Sequence, residues 1–324
     1  MGATKPGAKV VVANWGVGFV DAQRRAFFDP FEKETGIKVL IGGTPDLAKF
    51  KAQLASGTTD IDLSDLATGW IGPAEAAGLF AKIDRNIVDV SGLPSDAVRE
   101  NALSYFTGGG GLAFSTDRYG QSKPAPTIWE DFWNVSRFPG RRALYARPVD
   151  TLEIALLADG VKPRELYPLD VERAFRSLDK IKPHIKTWYT TGAQPPQLIQ
   201  SNDIDFAHAF HNRVFSAVSA GAKIAVSPHQ NLLARVWTAP LAKSPNPEEA
   251  QRLLAFMLRP DRQAEWAKLQ AVVPAVPAAM PLVDPNVMKS LPDPAAPDTI
   301  MSDISWWGPR LDDLNARFKE WLIT

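Results

Sequence analysis

The residues best suited to chemistry gather in one stretch, Ile204 to Gly221, IDFAHAFHNRVFSAVSAG. Alternation puts Phe206, His208 and Phe210 on one face of a strand, and the spacing then turns helical through Val214, Phe215 and Val218. A strand that gives way to a helix leaves a crevice at its carboxyl end, where open α/β sheets hold ligands beside a helix N-terminus. Phe210, His211, Asn212 and Arg213 at this corner offer an aromatic face, a titratable ring, an amide and a cation. The same residues also suit an ordinary corner whose polar side chains only cap the helix.

Catalytic constellations are sparse. The four histidines, His184, His208, His211 and His229, form no i,i+4 pair on a helix, and no HExxH, EF-hand loop or GxSxG elbow occurs. His208 and His211 straddle the strand end and with a carboxylate could ligate a metal, the basis of a metal-dependent hydrolase; buried, satisfied histidines fit the same pattern. The carboxylate pairs Asp203/Asp205 and Asp312/Asp313 fall in turns or on a helix surface, where solvation is the default. Gly108 to Gly111 make no phosphate cradle, because neither a helix nor a Lys-Ser/Thr follows. They let backbone cross between lobes or approach a ligand closely. No catalytic residue, metal site or cofactor is expected.

The elements that must position this corner belong to an α/β chain. At 324 residues the sequence is about twice a usual domain, so two lobes are expected. Lys plus Arg and Asp plus Glu both number 36, which leaves no global field for nucleic acid or an anionic membrane. There is no cysteine, hence no disulfide, thiolate metal site or cysteine nucleophile. No apolar run approaches the roughly 18 residues of a membrane helix. The start, MGATKPGAKV, has no apolar h-region and reads as a mature terminus with an added initiator Met.

Strands are expected at Lys9–Ala13, Ile37–Ile41 and near Ile61–Ala67, separated by helices, and this β-α-β order argues for a mostly parallel sheet. Pro30 inside the first helical stretch predicts a kink or a restart capped by Asp29. Further strands are expected at Leu112–Phe114, Arg142–Ala146, Ile185–Tyr189, Lys223–Val226 and Arg235–Leu241. Asp170 is placed to cap a helix from Val171, and Asn246, Pro247 and Glu249 spell a capped helix start. Trp15, Trp70, Phe210 and Trp306-Trp307 fall beside element ends, where convergence would make flat ligand walls.

In order and spacing, Asn14-Trp15, FEKETGIKV, IDLSDLATGW, GLAFSTDRY, TIWEDFWN, LEIALLADG, TGAQPPQLI, the corner ending in SAG, and LLAFMLRPDRQAEW resemble the periplasmic solute-binding proteins of ABC importers. The likeness is to the branch of spermidine and putrescine (polyamine) receptors and runs over nearly the whole chain. It implies a type II periplasmic binding protein fold of two α/β lobes with a ligand cleft between them, here residues 1–111 with 236–295 and 112–235 with 296–324. It further implies a monomer in the periplasm that delivers its ligand to an ABC permease, does no chemistry on it and binds no nucleic acid.

The resemblance also places a pocket. Trp15 matches the family's stacking tryptophan, Ala67-Thr68-Gly69-Trp70 its small-polar and aromatic turn, and Phe210 its wall aromatic. Two positions that are carboxylates in polyamine receptors align with Arg147 and Arg235, while a third, Asp150, stays acidic. An arginine keeps its proton, and at ~4 Å it would repel an ammonium by a few kcal/mol. The pocket is therefore expected to take a small carboxylate, zwitterionic like an amino acid or betaine, or aromatic, clamped by Arg147 and Arg235. Trp307 would add a wall, His211 and Asn212 hydrogen bonds, and Thr190-Thr191-Gly192 backbone donors. A local ion pair with Asp150 is the alternative for Arg147, a surface position on a hinge strand the alternative for Arg235, and a polyamine the alternative ligand.

Overall fold

The computed structural model describes residues 7–16, 18–66, 68–120 and 123–324, apart from the side chain of Thr68. Strands run Lys9–Ala13 (β1), Lys38–Gly43 (β2), Leu63–Leu66 (β3), Leu103–Ser115 (β4), Arg142–Tyr145 (β5), Ile185–Tyr189 (β6), Phe206–Phe210 (β7), Ile224–Val226 (β8), Leu232–Pro240 (β9), Val273–Pro274 (β10) and Ile300–Met301 (β11). The chain forms two compact units, Met1–Thr107 with Arg235–Lys289 and Gly108–Ala234 with Ser290–Thr324, and it passes from one to the other within β4, within β9 and again after Lys289. Among the described residues no helix is long and apolar enough to cross a membrane.

In the first unit β2, β1 and β3 are parallel, as the β-α-β order requires, and β9 returns antiparallel to β3. Phe27, Phe31, Tyr105, Phe256 and Trp266 interlock over this sheet. Asp29 is itself helical and does not cap a restart at Pro30. The turn before it, Arg24–Phe28, widens into a π-helix, and the helix Asp29–Thr35 follows with helical dihedrals at Asp29. Pro30 has no N–H to give Ala26 O, and the Arg262 guanidinium reaches that carbonyl at 3.4 Å.

In the second unit β4 pairs antiparallel with β7 and β8, and β7, β5 and β6 are parallel. The helices Thr151–Ala158, Val171–Ile181 and Leu311–Ile323 supply the apolar partners of this sheet, among them Leu152, Phe175, Leu178 and Phe318. Asp170 caps its helix through Arg173 N at 2.9 Å. Asn246, in the first unit, begins a helix as expected, but its amide donates to Asp62 Oδ2 at 3.0 Å and leaves the helix end without a side-chain cap.

The glycine run departs most from expectation, because Gly108 to Gly111 form the middle of a continuous strand. The reason is steric. A Cβ on Gly109 would lie 2.0 Å from Leu232 O, and one on Gly111 would lie 2.3 Å from Asn231 Oδ1. Only glycine admits its neighbours this closely.

Candidate functional site

Parallel pairing brings the carboxyl ends of β6, β5 and β7 to one edge of the second unit, where Tyr189, Tyr145 and Phe210 end their strands. The Tyr145 and Tyr189 rings lie 4.7 Å apart, and Phe210 stands edge-on to Tyr145 at 6.2 Å. The Arg147 guanidinium sits 4.0 Å over Tyr145 and 5.6 Å from the Phe210 centroid. Such stacking suits the planar, weakly hydrated guanidinium.

Arg147 Nη2 donates to Asp150 Oδ2, whereas Arg147 Nε is buried with no hydrogen-bond partner. Burial works against the charge of Arg147, but the Asp150 carboxylate and the tyrosines outweigh it and hold the group above its ordinary pKa. Asp150 adopts φ 69°, ψ −42° at the start of the helix Thr151–Ala158, a conformation costly for a residue with a side chain. Its carboxylate is thereby turned to Arg147, and it makes no cap to its own helix. The local ion pair foreseen as an alternative does form, and it leaves part of the guanidinium uncommitted.

Gly192 lies against this aromatic group, since a Cβ there would come within 2.7 Å of Phe210 Cδ2. The backbone donors expected from Thr190 and Thr191 are already taken, at 2.8 and 3.0 Å, by Gln194 Oε1. His211 and Asn212 open the helix His211–Ser219, both half-buried, and His211 Nε2 lies 3.0 Å from Asn231 Oδ1. His208 is wholly buried beneath them. The Tyr189 hydroxyl donates to His208 O and contacts His208 Nδ1 at 2.8 Å, so Nδ1 carries the proton. Burial pushes both histidines down to about 4 and keeps them neutral near pH 7. Among the described residues no group of three His, Asp or Glu side chains can hold a metal.

The first unit carries a second aromatic face. Trp15, 38 % exposed, and Trp70 lie 6.1 Å apart at an interplanar angle of 53°, with Gly69 half-buried beside them. Ala67 and the side chain of Thr68 lie outside the described residues. Behind Trp15 a buried chain of polar groups ties strand ends together: Asn14 Nδ2 donates to Gln23 Oε1, and Gln23 Nε2 to Asp65 Oδ2 and Tyr105 Oη. Burial pushes the Asp65 carboxyl up to about 7.

Two expected pocket residues are engaged within their own units. Arg235 closes its fork on Asp96, with Nε 3.0 Å from Oδ2 and Nη2 2.5 Å from Oδ1, so its charge is answered within the first unit. Trp307 is 1 % exposed in the core of the second unit, and its indole N–H donates to Glu153 Oε1 at 2.7 Å. Tyr145, Tyr189 and Asn231 escaped the sequence reading. For Tyr145 a signal existed: it lies two residues before Arg147 at the end of an anticipated strand.

The model of the bacterial extracellular solute-binding protein family matches residues 26–295. The chain belongs to that family. A gamma-aminobutyric acid (GABA)-binding protein of Pseudomonas aeruginosa is 30 % identical over 323 residues, covering 96 % of this chain and 90 % of that protein. A spermidine/putrescine-binding periplasmic protein of Escherichia coli is 24 % identical over 80 % of this chain and 76 % of its own. The crystal structure of an ABC transporter substrate-binding protein from Bradyrhizobium japonicum matches with a TM-score of 0.91 and 33 % identity, covering 97 % of this chain and 99 % of that one. The fold is therefore the two-lobe fold of periplasmic binding proteins, and the chain is the solute-binding protein of an ABC transporter.

Proposed function

We propose that this solute-binding protein takes a small carboxylate-bearing zwitterion, an amino acid of the GABA type, and that Arg147 receives its acid group. The observation that carries this reading is the Arg147 guanidinium stacked on Tyr145, with Nε buried and without an acceptor. Asp150 takes Nη2, but the Arg147 side chain keeps 35 % of its surface exposed, so the rest of the fork is open to a carboxylate. Phe210 and Gly192 shape the wall on the second unit, with His211 and Asn212 at the corner, and Trp15, Gly69 and Trp70 form a separate aromatic face on the first.

The GABA-binding relative supports a zwitterion. The spermidine/putrescine-binding relative is more distant, and a fixed cation at Arg147 opposes a diamine. The protein acts in the periplasm as a monomer, delivers its ligand to a permease, and leaves the ligand chemically unchanged.

Titration calorimetry with 4-aminobutyrate, butyrate, proline betaine and putrescine tests the reading. Heat with the acids and none with putrescine is expected. Binding of putrescine with failure of every acid would overturn it.

A further inference from the structure

Asn231 is 2 % exposed, and its amide has a single consistent orientation. Nδ2 donates to Pro228 O at 2.9 Å, which turns Oδ1 toward His211 Nε2 at 3.0 Å. The opposite orientation would set two oxygens against each other, so the hydrogen-bond network assigns this one. An amide oxygen only accepts, and Nε2 must therefore carry the imidazole proton. A neutral imidazole has one N–H, so Nδ1 keeps its lone pair. Burial holds His211 neutral, with its pKa at about 4, and at neutral pH this tautomer persists.

Among the described residues no donor reaches His211 Nδ1. Asp150, the carboxylate of this corner, is engaged by Arg147. The other imidazole, His208, turns its bare Nε2 to the backbone of β4, where a Cβ on Gly110 would lie 2.4 Å away. His211 follows Phe210 directly, and Phe210 packs beside the Arg147 guanidinium. Gly111 makes the arrangement possible, because any larger residue would strike Asn231 Oδ1.

We propose that His211 is a specificity-determining acceptor: with Nε2–H held by Asn231, its bare Nδ1 receives a hydrogen bond from an N–H of the ligand, the ammonium of a zwitterionic amino acid. Asn231 is the positioning residue that fixes the tautomer. This rests on the reading of the corner as the ligand site, and it assigns the cationic end of a ligand whose acid end is on Arg147.

The test uses the full chain labelled with 15N-histidine, its His211 signals assigned with H211F, in long-range 1H–15N spectra with and without saturating 4-aminobutyrate. The free protein should show a protonated Nε2 and a bare Nδ1. On binding, the Nδ1 signal should move toward the hydrogen-bonded range while Nε2 stays, and N231L should give a mixture of tautomers. By calorimetry H211F should lose about tenfold or more in affinity for 4-aminobutyrate and little for butyrate, which lacks the amine. An Nδ1 signal unmoved by a ligand that binds, or equal losses for both acids in a folded H211F, would overturn the assignment while leaving Arg147 as acid receptor. Absence of heat with either acid in the unmodified protein would remove the site reading itself, and this assignment with it.

Discussion

The Arg147 guanidinium rests 4.0 Å above the Tyr145 ring, two residues back along the same strand end. The chain bends directly after β5, which brings the Arg147 side chain over Tyr145, and Asp150 holds the guanidinium there from the start of the next helix. The cation is thus fixed before any ligand arrives, which lowers the ordering cost of binding an acid.

Removing that cation should reverse the preference of the site. R147M takes away the proposed partner of the acid and leaves the Asp150 carboxylate unpaired. The affinity for 4-aminobutyrate should fall by at least about 2 kcal/mol, roughly thirtyfold, while binding of putrescine should improve. R147K keeps the charge but loses the planar stack on Tyr145, and it should also weaken acid binding. Calorimetry on both variants checks this, and acid affinity unchanged in R147M would exclude Arg147 as the acid receptor.

Much of this architecture was legible in the residues, and what was not has physical causes. β1, β2 and the helix capped by Asp170 could be read because each has its own periodicity and end signals. The glycine run could not, since its conformation is dictated by Leu232 and Asn231, more than a hundred residues away. Among the candidate site residues, Trp15, Trp70 and Phe210 announced themselves as aromatics beside element ends, and Arg147 through the resemblance to polyamine receptors. Arg235 carried the same signal, but its partner Asp96 comes from a distant part of the chain, and no local pattern reveals that ion pair. Trp307 looked like a ligand wall because a tryptophan pair near a chain end suggests exposure; Glu153, which accepts its N–H, lies on another helix.

Gly192 offers a purely steric test. Its φ is not in the left-handed region, so alanine is conformationally acceptable there, but the new Cβ would lie 2.7 and 2.9 Å from Phe210 Cδ2 and Cε2. The ring, 5.6 Å from the Arg147 guanidinium, must shift. G192A should therefore weaken binding of 4-aminobutyrate by about 1–3 kcal/mol with little change in melting temperature, because Phe210 lies at the half-buried end of its strand. A variant that melts much lower yet, where folded, binds with undiminished affinity would show that Gly192 serves only the fold.

The buried Asp65 carboxyl should make the first unit less stable as pH rises. It titrates at about 7 in the folded chain, against an ordinary value of 3.8, because burial disfavours its charge. A folded pKa above the unfolded one means that the folded state binds the proton more tightly. That contribution is complete below about pH 4 and is lost as pH rises through about 7. His208 and His211 have the opposite sign: folded values near 4 against 6.5 give stability that is present above 6.5 and lost on acidification. The two trends partly cancel in the unmodified protein, as Glu153, also raised to about 7, sides with Asp65. D65N isolates the first, since an amide stays neutral and its oxygen can still accept from Gln23 Nε2. The melting temperature of D65N relative to the unmodified protein should climb between pH 4 and 8 and then level off, the histidines and Glu153 cancelling in the difference. Scanning calorimetry across that range decides the matter, and a difference independent of pH would mean that Asp65 is as readily ionised in the folded chain as in the unfolded one.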